Sequence, residues 1–400
     1  MFADKPGEFA YPRELLFRLI LMSIFDGGLS SHEIERKTRT DIAYMYLAGM
    51  QHPSYRTIAR FKVDYPDLID ESFKTTIKIA KEEDLVKIHP VSLDGTKIKA
   101  KTSMNKLTNE QQLKIMKQHL KESIELDEEE DMELGEESGK DVISINDSDA
   151  CFMKNKKGKW EFDYNGQIAV DDYKGIILAS YITNNPTDYY ELIPLMEQVQ
   201  SNLSEIYDET PVNYQVSADN GYSTDMNTEY LEQNGFDGYI SSRKLSREQK
   251  KYNLSDKPFA KDNFFYDNEM MTYIRPLGQP LYKISEYTYK NKSRISHWTK
   301  ECKTCPMQLF CSKGNRCRVI QDYGIPSKIR MQWKMETPEA KERYKIRSKT
   351  VERPFAHLKQ NMHLTEFRTT GLQEVNTELK LYTIGHNLKR IYNEISRKNN

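Results

Sequence analysis

The sequence predicts an α/β fold with a mixed sheet, interrupted by two insertions and preceded by a helical N-terminal region. The first support is VKIHPVSLDGTKIKAKTS (residues 86–103), a segment rich in β-branched residues that is typical of a strand. The second is the alternation of strand-like and helix-like segments from residue 165 to residue 241. The third is composition, because residues 104–150 are strongly acidic and residues 242–335 are rich in Lys, Tyr and Cys.

Overall composition excludes several classes of protein. The 400 residues include 38% hydrophobic residues and five cysteines, too few cysteines for a secreted disulfide scaffold. The longest apolar stretch, LLFRLILMSIF from Leu15, is broken by Arg18 and is too short to span a bilayer. The N-terminus has no basic segment leading into an apolar run, so no signal peptide is predicted. We expect a soluble cytoplasmic protein with no membrane partner.

The net charge of −1 conceals two regions of opposite sign. Residues 104–150 contain five Lys and fourteen Asp and Glu, a net charge of −9, and such a run usually stays solvated. Residues 341–400 contain thirteen Lys and Arg against six Glu, a net charge of +7. A basic C-terminal region can attract a polyanion, which admits nucleic acid as a partner without establishing it.

Residues 1–85 are predicted to be helical. A capping box of Ser30 and Glu33 begins one helix, for which Gly49 is a suitable residue just past the C-terminus. A second helix is predicted to begin at Ser54. These helices could form a DNA-binding module or only a packing bundle.

Residues 86–241 contain a defined order of elements. After the first strand, strands are predicted at 165–171 and 175–183, and Asp188 with Glu191 forms a capping box for the next helix. VNYQVSAD is a fourth strand, STDMNTEYLEQNG a helix ending at Gly235, and GYISS a fifth strand. With a closing helix, this is the order of the ribonuclease H-like fold, although many α/β domains begin in the same way. The predicted apolar face of the capped helix has a period of 3.6 residues and consists of Leu192, Leu195, Met196, Val199, Leu203 and Ile206.

Two insertions interrupt this domain. In the acidic insertion, 104–150, the segment NEQQLKIMKQHLKESIEL is predicted to be helical. The second insertion, 242–335, gives way to the closing helices of residues 336–400, which begin with Thr337 as N-cap and Pro338 as first helical residue. Pro354 is predicted to start or kink the helix near Glu352.

Three acidic residues are candidates for catalysis, and each has a plainer interpretation. Asp94 precedes Gly95, the strongest short signal for a hairpin; Asp219 lies in an Asp-Asn-Gly sequence typical of a turn; Glu352 could be a solvated helix residue. Their joint placement favours chemistry. An Asp in the first strand, an Asp ending the fourth and a Glu on the closing helix would gather three carboxylates at one sheet edge, where they could hold two Mg²⁺ ions roughly 4 Å apart.

The chain resembles the DDE transposases of bacterial insertion sequences. The matching stretches run in that family's order across nearly the whole chain, and the most specific are DNGY and the set Tyr344, Arg347, Glu352 and Lys359. The matching stretches are SLDGTKIKA, KGKWEFDYNGQIAVD, ITNNPTDYYELIPL, SADNGYS, YKIRSKTVERPFAHLKQNM, FRTTGL and HNLKRIY.

The resemblance implies roles for these residues. Asp94, Asp219 and Glu352 would be the catalytic triad that holds two Mg²⁺ ions, with Asp94 shared between them. Tyr344, Arg347 and Lys359 would position DNA phosphates, although each could also be an ordinary helix-surface residue. The implied partners are the ends of the element and the target DNA, bound by a homo-oligomer associated with the nucleoid.

The implied reaction is hydrolysis of a phosphodiester at the element's end, followed by attack of the freed 3′-OH on target DNA. Two other functions stay open. A structure-specific nuclease of the same fold would cut without joining, and a catalytically idle protein derived from a transposase would only bind DNA.

Four cysteines lie within sixteen residues, spaced C-x2-C-x5-C-x5-C: Cys302, Cys305, Cys311 and Cys317. Such clustering in an intracellular chain favours a metal, and four thiolates suit structural Zn²⁺. An iron–sulfur cluster or unligated thiols are the alternatives. Cys151 is predicted to be an ordinary buried thiol.

The segment around the four clustered cysteines, 281–335, mixes basic and aromatic residues. This composition suits contact with DNA, but it also suits a solvated basic subdomain with a small aromatic core.

Overall fold

The computed structural model describes residues 11–88, 90–102, 144, 147–154, 158–241, 259, 261–267, 269–289, 292–312 and 317–398. The helix predicted in the acidic insertion lies outside these residues. Among the residues described, no helix combines the length and the apolar character needed to cross a membrane.

The N-terminal region is helical, and its caps follow the sequence. Ser30 Oγ accepts a hydrogen bond from Glu33 N at 3.2 Å, and the Glu33 carboxylate accepts one from Ser30 N at 2.8 Å, which confirms the capping box. The helix expected to continue to Gly49 is broken at Asp41, whose side chain accepts from Ala43 N at 3.0 Å and begins a new helix. Ser54 is an N-cap, as predicted. The helices are α1 (Arg13–Phe25), α2 (Ser31–Thr40), α3 (Ile42–Leu47), α4 (Tyr55–Asp64) and α5 (Pro66–Glu82).

A six-stranded mixed sheet follows. Its strands are β1 (Val91–Lys99), β2 (Cys151–Lys154), β3 (Trp160–Asp171), β4 (Ile177–Thr183), β5 (Gln215–Ala218) and β6 (Asp237–Ile240). Five of the strands have the spatial order β4-β3-β1-β5-β6. The sixth, β2, pairs with the first residues of β3, on the same edge of β3 as β4. β1, β5 and β6 are parallel, whereas β3 is antiparallel to β1. Strand β2 was missed in the sequence because it directly follows the acidic insertion; it contains Cys151, which is buried as predicted.

Helices cover the sheet. α6 (Leu192–Ser204) buries five of the six apolar residues predicted for its face, and Ile206 is partly buried just past its end. α7 (Asp225–Gln233) ends before Gly235, whose φ of +72° is the left-handed conformation expected there. The long C-terminal helix packs against α5 and β4, so the N-terminal helices and the sheet share one hydrophobic core.

Residues 259–324 contain a second sheet that the sequence did not predict. Its antiparallel strands are β7 (Phe265–Asp267), β8 (Thr272–Ile274), β9 (Pro280–Tyr289), β10 (Lys292–Trp298) and β11 (Ile320–Gly324). The first two are three residues long, too short to show a period. They are held by a small core in which the Trp333 ring stacks on Tyr266 with centroids 4.4 Å apart, while buried Asp322 accepts hydrogen bonds from Tyr273 and Trp333.

The remaining helices close the chain: α8 (Gln308–Cys311), α9 (Pro326–Lys334), α10 (Pro338–Ala356) and α11 (Leu372–Lys398). Thr337 caps α10 and Pro338 occupies its first turn, as predicted. Pro354 does not start the helix, because α10 runs through it to Ala356 and then continues as a π turn, His357–Asn361.

Candidate functional site

Asp94 and Asp219 are brought together by the pairing of two parallel strands. β1 and β5 are in register at Ser92 and Ser217, and two further residues along each strand lead to Asp94 and Asp219. The Asp-Gly sequence at residues 94 and 95 is therefore not a hairpin, since both residues lie in the middle of β1. Asp219 does begin a turn, because its Oδ1 accepts from Gly221 N at 2.8 Å. This turn ends β5 and leaves the carboxylate at the sheet edge.

Arg347 contacts this carboxylate pair from α10. Its Nη2 lies 3.0 Å from Asp94 Oδ1 and 2.9 Å from Leu93 O, and the guanidinium is buried. Burial works to lower the pKa of Arg347, but the negative charges of Asp94 and Asp219 outweigh it and raise that pKa. The arginine is therefore a permanent counter-charge within the site.

The carboxyl group of Asp219 lies in an electrostatically unfavourable position. Burial raises its pKa, and the nearby charges of Asp94 and Asp188 raise it further, against the lowering effect of Arg347. Asp94 and Asp219 thus share one arginine, whereas Asp188 also faces the buried ammonium of Lys97. Such a cluster would gain from a bound cation.

Asp188 belongs to this acidic cluster, although the sequence pattern predicted another role for it. It was predicted to be half of a capping box, but α6 begins at Leu192 without a side-chain cap. Asp188 Oδ1 instead accepts hydrogen bonds from Asn165 Nδ2 and Gln167 Nε2, each at 2.7 Å. A signal was present, since Asn165 and Gln167 lie on one face of β3 and amides require a polar partner when buried.

The predicted partner in that box, Glu191, also has another role. Its carboxylate accepts hydrogen bonds from the Tyr181 hydroxyl and from Asn185 Nδ2, the latter at 2.6 Å. These bonds tie the end of β4 to the start of α6, so the capping prediction was wrong for both residues.

Gly95 makes room for this arrangement. A Cβ atom at this position would lie 2.5 Å from Gln167 Nε2 and 2.6 Å from Asp188 Oδ1. Any larger residue would displace the amide or the carboxylate, so glycine is required by close approach rather than by a turn.

The three residues predicted to position phosphate lie on or just after α10. Tyr344 is buried, and burial first, then Asp219 and Asp94, raise the pKa of its hydroxyl. Lys359, in the π turn, donates to Thr96 Oγ1 at 2.8 Å and to Lys97 O at 2.6 Å, beside the strand of Asp94. The apolar stripe expected beside Glu352 is confirmed: Val351, Phe355, Leu358 and Met362 are buried.

Glu352 is placed differently from the two aspartates. It lies on α10 five residues after Arg347, and its side chain is exposed. Among the described residues, no hydrogen bond or ion pair joins it to Asp94 or Asp219. The structure therefore brings two of the three predicted carboxylates together.

The donor set at the sheet edge suits a hard divalent cation. The available atoms are carboxylate oxygens, the preferred ligands of Mg²⁺, and their mutual repulsion favours cation binding. Within the described part of the chain, however, no three acidic, His or Cys side chains are arranged to hold a metal ion. The carboxylates of Asp94 and Asp219 are therefore suitable ligands for a divalent cation as a pair. One oxygen of Asp94 already accepts a hydrogen bond from Arg347.

The four clustered cysteines lie beside the second sheet. Cys302 is buried, and its Sγ accepts a hydrogen bond from Arg318 N at 3.4 Å. Burial raises the pKa of Cys311, and charges on Cys302 and Cys305 would raise it further; burial and a hydrogen bond with Cys302 raise that of Cys317. The thiols therefore share one neighbourhood, although the described residues do not form a metal site there.

Both ends of the chain are similar to families of transposase domains. Residues 1–64 match the family model described as a transposase domain, DUF772, and residues 276–392 match the one described as a transposase DDE domain. The resemblance to transposases of the DDE type is confirmed. The second match includes α10, with Tyr344, Arg347, Glu352 and Lys359, whereas β1 and β5 lie outside both matched ranges.

No curated protein sequence matches the chain. One similar solved structure is a piggyBac transposase synaptic complex with hairpin DNA, at 9% sequence identity and a TM-score of 0.41, covering 100% of this chain and 69% of that one.

Proposed function

We propose that this chain cuts the ends of an insertion sequence and joins the resulting 3′-OH to target DNA. The observation that carries the proposal is the juxtaposition of Asp94 and Asp219 on adjacent parallel strands, facing a helix within the matched DDE domain. An arginine alone does not neutralise these carboxylates, and phosphoryl transfer needs the divalent cations that such groups bind.

The strand order supports assignment to the ribonuclease H-like fold. Three strands joined as antiparallel neighbours, β1, β3 and β4, are extended on the β1 side by the parallel strands β5 and β6. This arrangement puts the middle of β1 beside the end of β5, where the sequence predicted that the carboxylates would meet.

Asp94, Asp219 and Glu352 are the residues that would hold two Mg²⁺ ions. Bound there, the ions would supply activation of a water or 3′-OH and stabilisation of the leaving oxygen. Because Glu352 is exposed on α10 and, among the described residues, makes no hydrogen bond or ion pair with Asp94 or Asp219, its participation requires its carboxylate to move toward the two aspartates. Arg347 and Tyr344 hold the Asp94 side of the site, and the ammonium of Lys359, which donates to Thr96 Oγ1 and Lys97 O, would contact a phosphate there.

DNA contacts are assigned to two surfaces outside the carboxylate cluster. In the N-terminal helices, Ile42 and Tyr46 are 85% and 80% exposed, beside the basic α2 and α4. In the second sheet, β9 exposes Tyr282 and Tyr287 on a strand next to basic β10. Exposed aromatics among cations suit stacking on bases and contact with phosphates. Joining two element ends in one complex also calls for a multimer.

Strand joining tests this function directly. A pre-cut element end with a free 3′-OH, incubated with the protein, Mg²⁺ and a plasmid target, should yield joined products, because a site that stabilises an attacking and a leaving oxygen can accept a 3′-OH in place of water. The measurement is gel separation of joined and free ends, with a 3′-dideoxy end as the matched control. Cutting without joining would favour a nuclease, and binding without either step would favour an idle DNA-binding protein.

We propose in addition that the four cysteines bind one structural Zn²⁺. Purified protein should contain close to one equivalent of zinc, and a chelator should lower protection from proteolysis around residues 295–320, since metal binding contributes folding energy to so small a core. Elemental analysis with Cys302→Ser as the depleted variant and Cys151→Ser as the matched control measures this. Absence of zinc, or an iron-containing brown sample, would refute it.

A further inference from the structure

A cavity of about 160 Å³ lies on the side of α10 that bears Thr350, Arg353 and His357. Its other walls are the turn between β3 and β4, at residues 172–175, and the segment 386–393 of α11. This volume is several times the roughly 30 Å³ share of one water in the liquid, so the cavity can hold a tetrahedral oxyanion. None of its lining residues belongs to the predicted catalytic triad.

A pair of histidines forms one wall of this cavity. His386 Nε2 lies 2.9 Å from Gly175 O, which can only accept, so Nε2 carries the proton. Burial lowers the pKa of His386 to about 3, which keeps the ring neutral and makes its Nδ1 an acceptor. His357 Nδ1, 3.0 Å away, must therefore be the donor. The remaining nitrogen of His357, Nε2, accepts when the ring is neutral and donates when it is protonated.

Positive charge around the cavity is incompletely balanced. Lys174 is paired with Glu394 at 2.8 Å, and Asp172 is paired with Arg343 at 3.1 Å. In contrast, Arg353, Lys389 and Arg390 form no ion pair with any described residue. Burial lowers the pKa of Arg390; the charge of Glu394 opposes this effect, and the charges of Arg397 and Arg353 add to it.

We propose that this cavity binds one phosphate group, supplied by the backbone of a DNA duplex that lies along α10. The source of the phosphate rests on the proposed function, whereas the site itself rests on the cavity and its charges. Arg353 and Lys389 stand at the exposed rim, Arg390 and His357 are half-buried, and His386 is buried. A phosphate between them offsets the repulsion of three cations and takes a further hydrogen bond from protonated His357.

The position of the site indicates what it does for DNA. Arg353 directly follows Glu352 on the helix that also presents Arg347 to Asp94. A duplex held at the cavity is fixed in position relative to α10, and phosphate contacts of this kind set register without reading sequence.

The first arm of the test uses sulfate alone, which does not titrate between pH 4 and 8. His357 is followed by histidine NMR in sulfate and in chloride of equal ionic strength. Burial first, then the charges of Lys389 and Arg390, hold the pKa of His357 below its ordinary value, and Asp172, the acidic residue that lines the cavity, is paired with Arg343. Sulfate should raise this pKa by about half a unit or more over chloride, and the rise should be smaller in Lys389→Gln.

The second arm uses duplex DNA. Lys389→Gln should reduce the slope of log affinity against log salt concentration by about one, the loss of one phosphate contact. Lys78→Gln, an equal loss of charge at an exposed position of α5 away from the cavity, should leave the slope unchanged.

The outcomes separate the site from the source of its ligand. A sulfate-dependent shift together with a reduced slope supports the proposal in full. A shift with an unchanged slope overturns the DNA backbone as the source and indicates a free phosphate compound. Equal pKa values in sulfate and chloride overturn the site. If the chain does not bind DNA at all, the proposed function fails, and the sulfate arm still decides whether the cavity binds an oxyanion.

Discussion

Asp94→Asn and Asp219→Asn should each reduce Mg²⁺-dependent cleavage of element ends by about 10³-fold or more. Each replaces a charged oxygen at the sheet edge, and loss of several kcal/mol of transition-state stabilisation corresponds to such factors. Glu352→Gln should have an effect of the same order. Affinity for DNA should change little, since the carboxylates hold cations and repel phosphate. Cleavage on end-labelled duplex and equilibrium binding on the same duplex measure the two properties.

The matched control for Glu352→Gln is Glu342→Gln. Both glutamates are exposed on α10, but Glu342 lies ten residues earlier and pairs with Lys345 at 3.0 Å. Undiminished cleavage by Glu342→Gln and loss by Glu352→Gln would assign the role to position 352. Full activity of Glu352→Gln, with both aspartate variants inactive, would remove Glu352 from the site and leave Asp188 as the third carboxylate of the cluster.

Arg347→Gln should lower the free energy of unfolding by about 3 kcal/mol when divalent cations are absent, because it leaves the buried carboxylate of Asp94 without its counter-charge. Mg²⁺ should restore a larger part of this stability in the variant than it adds to the unaltered protein, since a cation can then take the place of the guanidinium. Urea unfolding with and without Mg²⁺ measures both effects.

Arg343→Gln is the control for this comparison. Arg343 lies one turn earlier on α10 and pairs at 3.1 Å with Asp172, whose side chain is also largely shielded from solvent. Its loss should also destabilise the protein, but Mg²⁺ should give no selective recovery because Asp172 is not one of the proposed cation ligands. Equal recovery of both variants would contradict a cation site at Asp94 and Asp219.

Elements set by local interactions were predicted well from the sequence. The Ser30–Glu33 box, the Ser54 and Thr337 caps and the apolar face of α6 all depend on residues within a few positions of each other. The break between α2 and α3 at Asp41 is also local, but it was not predicted. An aspartate can lie inside a helix, and the sequence did not indicate that the Asp41 side chain would cap a new helix instead.

The carboxylate cluster was predictable only in part. The strand pattern indicated that Asp94 and Asp219 would meet, since parallel neighbours bring equivalent positions together. Asp188 was assigned to a cap because its sequence neighbour Glu191 fits that motif at the right spacing. It accepts hydrogen bonds from Asn165 and Gln167, which lie more than twenty residues away on β3. No pattern among neighbouring residues predicts these partners.

The sequence by itself determined most of the helices, the strands of the six-stranded sheet other than β2, the order of the acidic residues and the resemblance to DDE transposases, because periodicity, caps and motifs depend on neighbouring residues. Only the tertiary structure decided which charges meet. Arg347 reaches Asp94 across 253 positions, and His386 reaches Gly175 across 211. Such contacts depend on how α10 and α11 pack on the sheet, and a buried charge or ring takes whichever partner that packing brings within hydrogen-bonding distance.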